Sequence, residues 1–279
     1  MKRLALVIAA LCSLFCARAQ QRCVSGDMDF VNYLIGNGMA SDAWLLLSQD
    51  SFHASDTLDF LRGWAGYSAK KLDEAAAFFS EVPSSSSFYD KSLFFNAISN
   101  AHLGRYSVSE ELLRSYTGPF KELRSLELAG ISLLEDRPEA YLEAAGDFTF
   151  SQYALTEAEQ QLKDIYTQRY CSRGKSPLAA AALSAVIPGS GKIYAGELGE
   201  GIASLVVIGS MAAITAENWV KNGPANWKTL LFGTIGAAFY IGNIYGSYVS
   251  VSIHNNDLRN AQDTAILYHI HIPLRSSFD

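Results

Sequence analysis

From Leu230 to Ile253 the chain carries no Asp, Glu, Lys or Arg. A stretch of this kind has few places to go. Crossing a bilayer takes about twenty apolar residues in a helix, whereas a soluble domain would have to cover such a stretch on every side. Two further apolar runs precede it. Ile202 to Ala216 reaches spanning length when extended to Gly199 and Trp219, but Leu178 to Ile187 is too short to cross as a straight helix and stops at Pro188-Gly189. The pattern predicts a membrane domain over 173–255, with an interfacial or re-entrant helix at 176–187 and spans near 199–219 and 229–253. Tyr194, Trp219 and Trp227 stand at the edges of the runs, where aromatic rings favour the headgroup zone.

Residues 27 to 170 are different. Charged residues make up 18% of the whole chain, against about 25% in soluble proteins, and the deficit falls almost entirely after Lys175. The composition changes at Arg173-Gly174-Lys175-Ser176-Pro177, the natural domain boundary. The net charge of −6 and the lack of a basic stripe with interleaved aromatics argue against nucleic acid as a partner.

The first residues read as a targeting segment. Lys2-Arg3 form a positive start, Leu4 to Phe15 an apolar core, and Ala17-Arg18-Ala19 a small-x-small cleavage site. A signal peptide over 1–19 and a short arm over 20–26 are expected. Cys12 and Cys16 would leave with the signal, and the remaining Cys23 and Cys171 would be candidates for a disulfide clipping the two ends of the soluble region.

Within 27–172 apolar residues recur at three- and four-residue steps, as in helices. Four segments align: NGMASDAWLLL, AKKLDEAAAFF, LGRYSVSEELL and EDRPEAYLEAA. Their matching small positions are Ala43, Ala75, Ser109 and Ala140, spaced by 32, 34 and 31 residues. A small residue there allows two helices to approach closely, and Gly63 and Ala97 lie twelve residues before Ala75 and Ser109. This pattern resembles the tetratricopeptide repeat, most clearly in its two central units. The resemblance implies a stack of helical hairpins with a face for a protein partner. LTEAEQQLKDIYTQRY is expected to cap the stack, with Thr156 as its N-cap.

SPLAAAALSAVIPGSGKIYAGELGEG cannot be a phosphate-binding loop, because Gly189-Ser190-Gly191-Lys192-Ile193 lacks the spacing and the Ser/Thr of a Walker motif. Ser176-Pro177, Pro188-Gly189-Ser190-Gly191, Tyr194-Ala195-Gly196, Tyr240-Ile241-Gly242-Asn243-Ile244-Tyr245-Gly246 and His254-Asn255 are together similar to a small bacterial glycine-rich membrane module. The resemblance implies a location rather than an activity. Gly242 and Gly246 form a small-xxx-small step suited to helix packing, including packing between copies of the chain. Asn243 is the one strongly polar residue within the last span. It is either a functional group or a packing amide bonded to Ser210 or Thr215.

Nothing points to an enzyme. No nucleophile has a recognisable setting, and no metal or other cofactor is expected. His269 and His271 in ILYHIHIPL read as one face of a short strand within a tail over 256–279, or as part of a tail lying on the membrane or the repeats. The whole reads as all-α: a tetratricopeptide-like stack of helical hairpins followed by a transmembrane hairpin with an interfacial helix. The expected role is a scaffold or assembly factor of the bacterial inner membrane, its repeats exported to the periplasm and bound to a protein partner. The alternative is an oligomeric pore or transport component. Arg169, Arg173 and Lys175 favour a cytoplasmic location, against the signal peptide, and lipid headgroups offer them another use.

Overall fold

The computed structural model describes residues 29–48 and 55–278. The signal segment, the arm, Cys23 and His53 lie outside these residues, and so does any bridge to Cys171, which is exposed. All regular elements among the described residues are helical. Helix α1 covers 29–36. It is followed by α2 (Ala40–Leu47), α3 (Asp56–Ser68), α4 (Leu72–Glu81), α5 (Tyr89–His102), α6 (Tyr106–Ser115), α7 (Lys121–Leu134), α8 (Pro138–Ala145) and α9 (Tyr153–Tyr166), which runs on into a π-helical turn, Thr167–Cys171. Helices α10 (Pro177–Val186), α11 (Ser190–Ala195), α12 (Leu198–Asn222) and α13 (Trp227–Phe278) complete the chain. Two compact units result. The first runs to Leu162 and resumes at Ile266; the second is Lys163–Ala265.

In the first unit each helix from α2 to α8 packs on the next. The same turn recurs at four places among the described residues. Gly38, Lys70, Gly104 and Asp136 take positive φ angles of 78°, 65°, 73° and 61°. The amide that follows each of them donates back five residues, Met39 to Leu34, Lys71 to Gly66, Arg105 to Asn100 and Arg137 to Ser132. Such a left-handed closure ends a helix by satisfying its last carbonyls. Five residues beyond each left-handed position comes a buried contact: Ala43, Ala75, Ser109 and Tyr141. The fourth position therefore belongs to Tyr141. Ala140, expected there, is one residue out of register and only half-buried.

The twelve-residue pairing is real in the third hairpin, where the Ser109 hydroxyl donates to the Ala97 carbonyl at 2.6 Å. In the second, Gly63 lies so close to Phe79 that a Cβ would sit 2.5 Å from its ring. Leu47, Phe79 and Leu113 fill the buried seams. Thr156 lies inside α9 rather than capping it, and its hydroxyl donates to Gln152 O at 2.9 Å.

The tail does not form a strand. Residues 266–278 continue α13 as a helix, with Pro273 inside it. His269 and His271 therefore point in different directions, since residues two apart do not share a helix face.

Candidate functional site

Two places concentrate unusual chemistry, one in each unit. In the first, α5 and α7 are buried all round: every residue from Ser92 to Ala101, and from Ser125 to Leu133, is covered. A helix buried on all sides is normally apolar throughout, yet these carry Asn96, Asn100, Ser125, Glu127 and Ser132. Neighbouring helices of the stack cover one side. On the other lies the chain's own C-terminal segment.

Ile266, Ile270 and Leu274 repeat every four residues, so they share one helix face, and all three are fully buried. Burying each contributes about 1.5–3 kcal/mol. Gly130 sets the closest approach: a Cβ there would lie 2.5 Å from Ile270 Cγ2. The Tyr67 hydroxyl and His271 Nδ1 share a hydrogen bond of 2.6 Å. Phe278 packs its ring on Phe94 and Phe120, and Lys91 Nζ donates to the Phe278 carbonyl at 3.3 Å. The first unit thus holds an apolar groove on α5 and α7 with an amphipathic helix seated in it.

Beside this helix the electrostatics are strained. Glu127 is fully buried, and neither carboxylate oxygen has a hydrogen-bond partner. Desolvation raises its pKa well above the ordinary carboxylate value. The same burial, with Glu127 nearby, raises Tyr67. His271 is held down to about 4 by burial first, then by Arg275, His102 and Lys70.

In the second unit, the motif residues of the sequence come together as a hydrogen-bonded junction. Ser176 caps α10 by accepting from Ala179 N at 3.3 Å. Pro188 ends the connection from α10, and Gly189, at φ +86°, turns the chain into α11. A Cβ on Gly189 would lie 2.0 Å from Gly201 O, and one on Gly191 would lie 2.0 Å from Ala180 O. Helix α11 can therefore wedge between α10 and α12 only because these positions lack side chains. Gly196, at φ +110°, ends α11. The Tyr194 hydroxyl accepts from Ser176 N (3.1 Å), the Tyr240 hydroxyl donates to Ala185 O (2.5 Å), and Asn255 Nδ2 donates to Lys175 O (2.9 Å). Ser184 links to Ser247 at 2.7 Å and accepts from Gly191 N at 2.9 Å.

Three expectations need correction here. Lys175 Nζ donates to Ala195 O, and Arg169 is nearly buried against Gln262 and Asp263, so both serve structure rather than facing lipid headgroups. A Cβ on Gly242 would meet nothing within 4 Å, and one on Gly246 would meet only the Lys192 side chain of α11, so within the chain α12 does not pack on that step; it is Gly233 and Gly236 that meet α12, at Thr215 and Met211. Asn243 bonds to neither Ser210 nor Thr215. It is only 6% exposed, and both polar atoms of its amide are unpartnered. Thr215 instead donates to Met211 O in its own helix. Tyr245 stands 70% exposed, outside the junction.

Asn243 lines a groove of about 580 Å³ between α12 and α13, whose polar end is formed by Lys192 and Glu200, paired at 3.0 Å. From sequence Lys192 enters only as the lysine of a rejected Walker motif and Glu200 not at all, because an isolated Glu in a glycine-rich loop carries no signal of its own.

One helix among the described residues, Leu198–Asn222, is long and apolar enough to cross a membrane. At about 1.5 Å per residue it exceeds the roughly 30 Å hydrocarbon core. Its most apolar window has a mean hydropathy of 1.7, and only 11% of that window is buried within the structure. No group of three or more metal-ligating side chains occurs among the described residues. Set against known protein families, curated proteins and solved structures, the chain matches none.

Proposed function

We propose that this protein is a membrane-anchored envelope scaffold, held by a two-span hairpin and binding a protein partner through its stack of helical hairpins. The observation that carries the reading is the composition of the first unit. It contains both the helices that precede the apolar region and the residues that follow it. Both flanks therefore lie on one side of any membrane, and the chain between them must cross an even number of times. If α12 crosses outward from that side, the return falls to the charge-free stretch Leu230–Ile253. Its side chains at Leu230, Ile241, Tyr245 and Ile253 are all more than half exposed, as lipid-facing residues would be. The signal segment read from the sequence supports a periplasmic first unit.

The partner reading rests on the recurrent hairpins, whose spacing resembles the tetratricopeptide repeat, and on the groove of α5 and α7. That groove already accepts an amphipathic helix with apolar residues at four-residue steps, so a partner helix of the same pattern would fit it. A photo-crosslinking residue at Phe120, with the tail released by Leu274→Asp, tests this in cells. The expected result is a discrete protein adduct that strengthens when the tail is released. Absence of any adduct in both forms would count against partner binding here.

The pore alternative draws on the open grooves between α12 and α13. Ion flux through liposomes carrying the full chain would favour it over the scaffold.

A further inference from the structure

The groove at Asn243 has the layout of a site for an amphiphile. Its walls are apolar, among them Val207, Ile235 and Phe239. Its polar end lies at the first turn of α12, the level at which a span enters the headgroup zone. Lys192 and Glu200 sit there as a cation and an anion 3.0 Å apart, with Glu200 two-thirds exposed. Below them the Asn243 amide is buried with two donors and an acceptor unused. A buried amide left unpaired is costly, and more so in lipid, where water cannot relieve it. A ligand that brings its own acceptor removes that cost.

One ligand chemistry meets all three features. A head carrying both phosphate and primary ammonium complements a Lys–Glu pair charge for charge, an ester carbonyl can accept from an amide N–H, and acyl chains match the apolar walls. An anionic head would pair with Lys192 but meet Glu200 with like charge. A choline head keeps the charges but cannot donate a hydrogen bond to the carboxylate.

We propose that the α12–α13 groove binds a zwitterionic aminophospholipid, with its phosphate on Lys192, its ammonium on Glu200, an ester carbonyl taken up by Asn243 Nδ2 as that side chain turns toward the groove, and its chains along Val207 and Phe239. The site rests on the hairpin being inserted in a bilayer, as in the scaffold reading above.

The test uses the full chain purified in mild detergent and read by native mass spectrometry, then reconstituted in nanodiscs of phosphatidylethanolamine, phosphatidylcholine or phosphatidylglycerol. One phosphatidylethanolamine per chain is expected to survive detergent, with about tenfold preference over phosphatidylglycerol. Asn243→Leu, close in size, should lower retention about tenfold. Glu200→Gln, at an exposed position that does not threaten the fold, should lower phosphatidylethanolamine retention to the level of phosphatidylcholine, erasing the preference for ethanolamine over choline. Equal retention of all three lipids by the native chain, or an unchanged preference in Glu200→Gln, overturns the site. So does a lipid-free dimer mass, which would put a second copy in the groove. Carbonate extraction of native membranes separates the two levels. A chain that resists extraction yet shows no lipid preference sinks only the lipid site, whereas a chain that washes off sinks the membrane reading with it.

Discussion

Helices α5 and α12 are inside-out versions of one another. Helix α5 carries Ser92, Asn96, Ser99 and Asn100, all buried. Helix α12 carries Ile202, Leu205, Val206 and Val220, all between 44% and 85% exposed. Within α5 several of these buried polar groups find partners: Ser99 donates to Phe95 O at 2.6 Å, and Asn100 Nδ2 donates to Asn96 Oδ1 at 2.7 Å. Within the second unit Ala180, Ala195 and Val251 cluster together, but these apolar side chains of α12 stay uncovered. The hydrophobic effect would not leave so continuous an apolar surface facing water. The contrast is what the proposed scaffold would produce, with water around the first unit and lipid around the apolar face of α12.

The largest effect that would sharpen this comparison is expected inside the groove. Ile270→Asp puts a charge among apolar side chains and should cost about 3–5 kcal/mol of tail docking. Hydrogen exchange over 266–278 should then rise toward that of an undocked segment, while α12 stays unchanged. Protection that persists in the variant would mean that the tail is held by something other than this apolar face.

Next comes a matched pair. Val206→Lys on the exposed face of α12 should cost about 2.5–3.5 kcal/mol of insertion if that face meets lipid. Leu142→Lys, on a residue of α8 that is similarly exposed, should fall within about 0.5 kcal/mol of zero. Membrane yield and thermal unfolding read the two. Equal effects would remove the two-solvent argument.

Glu127 gives a pH signature. Its raised pKa means that the folded state favours the protonated carboxyl. That contribution is complete below about pH 4.5 and is lost as pH rises toward the raised value, with a slope of about 1.4 kcal/mol per pH unit. Glu127→Gln should flatten this slope and raise stability at pH 8. His271 acts in the opposite direction. Its lowered pKa makes its contribution complete above about pH 6.5, and it is lost as pH falls toward about 4. Tail docking in the native chain should therefore weaken at both ends of the scale, and in Glu127→Gln only at the acid end. Melting curves across pH 4 to 9 check both signs.

The smallest effect concerns the turns. Lys70 occupies a left-handed position that Gly38 and Gly104 fill without strain. Lys70→Gly should stabilise the first unit by about 0.5–1 kcal/mol, seen as a rise in melting temperature. A loss of stability would mean that the Lys70 side chain contributes more than the turn strain costs.

Much of the first unit was legible because helical hairpins repeat small residues at fixed intervals, and Ala43, Ala75 and Ser109 fall where the spacing put them. The fourth unit slipped by one because its buried position holds the bulky Tyr141, and the small residue that the alignment sought stands next to it, at Ala140. The tail was misread for a related reason. HIHIP alternates like a strand, and Pro273 discourages a helix, while the four-residue step of Ile266, Ile270 and Leu274 was masked by the apolar residues between. In the second unit Gly189, Gly191, Tyr194 and Tyr240 of the motif do meet their neighbours, as close approaches and hydroxyl bonds, whereas Gly242 and Tyr245 stay outside the junction. The sequence could not reveal that Asn243 would be left without a partner, because that depends on the rotation and separation of α12 and α13.

The central claim is that the first unit and the end of α13 share one side of a membrane crossed twice between them. Proteinase K added to intact spheroplasts, with an epitope placed after Asp279 and another in the 49–54 segment, tests it directly. The account predicts that both epitopes are lost from outside while a fragment containing α12 survives. Protection of both until the membrane is broken would put the first unit in the cytoplasm, and loss of only one would mean an odd number of crossings and contradict the account.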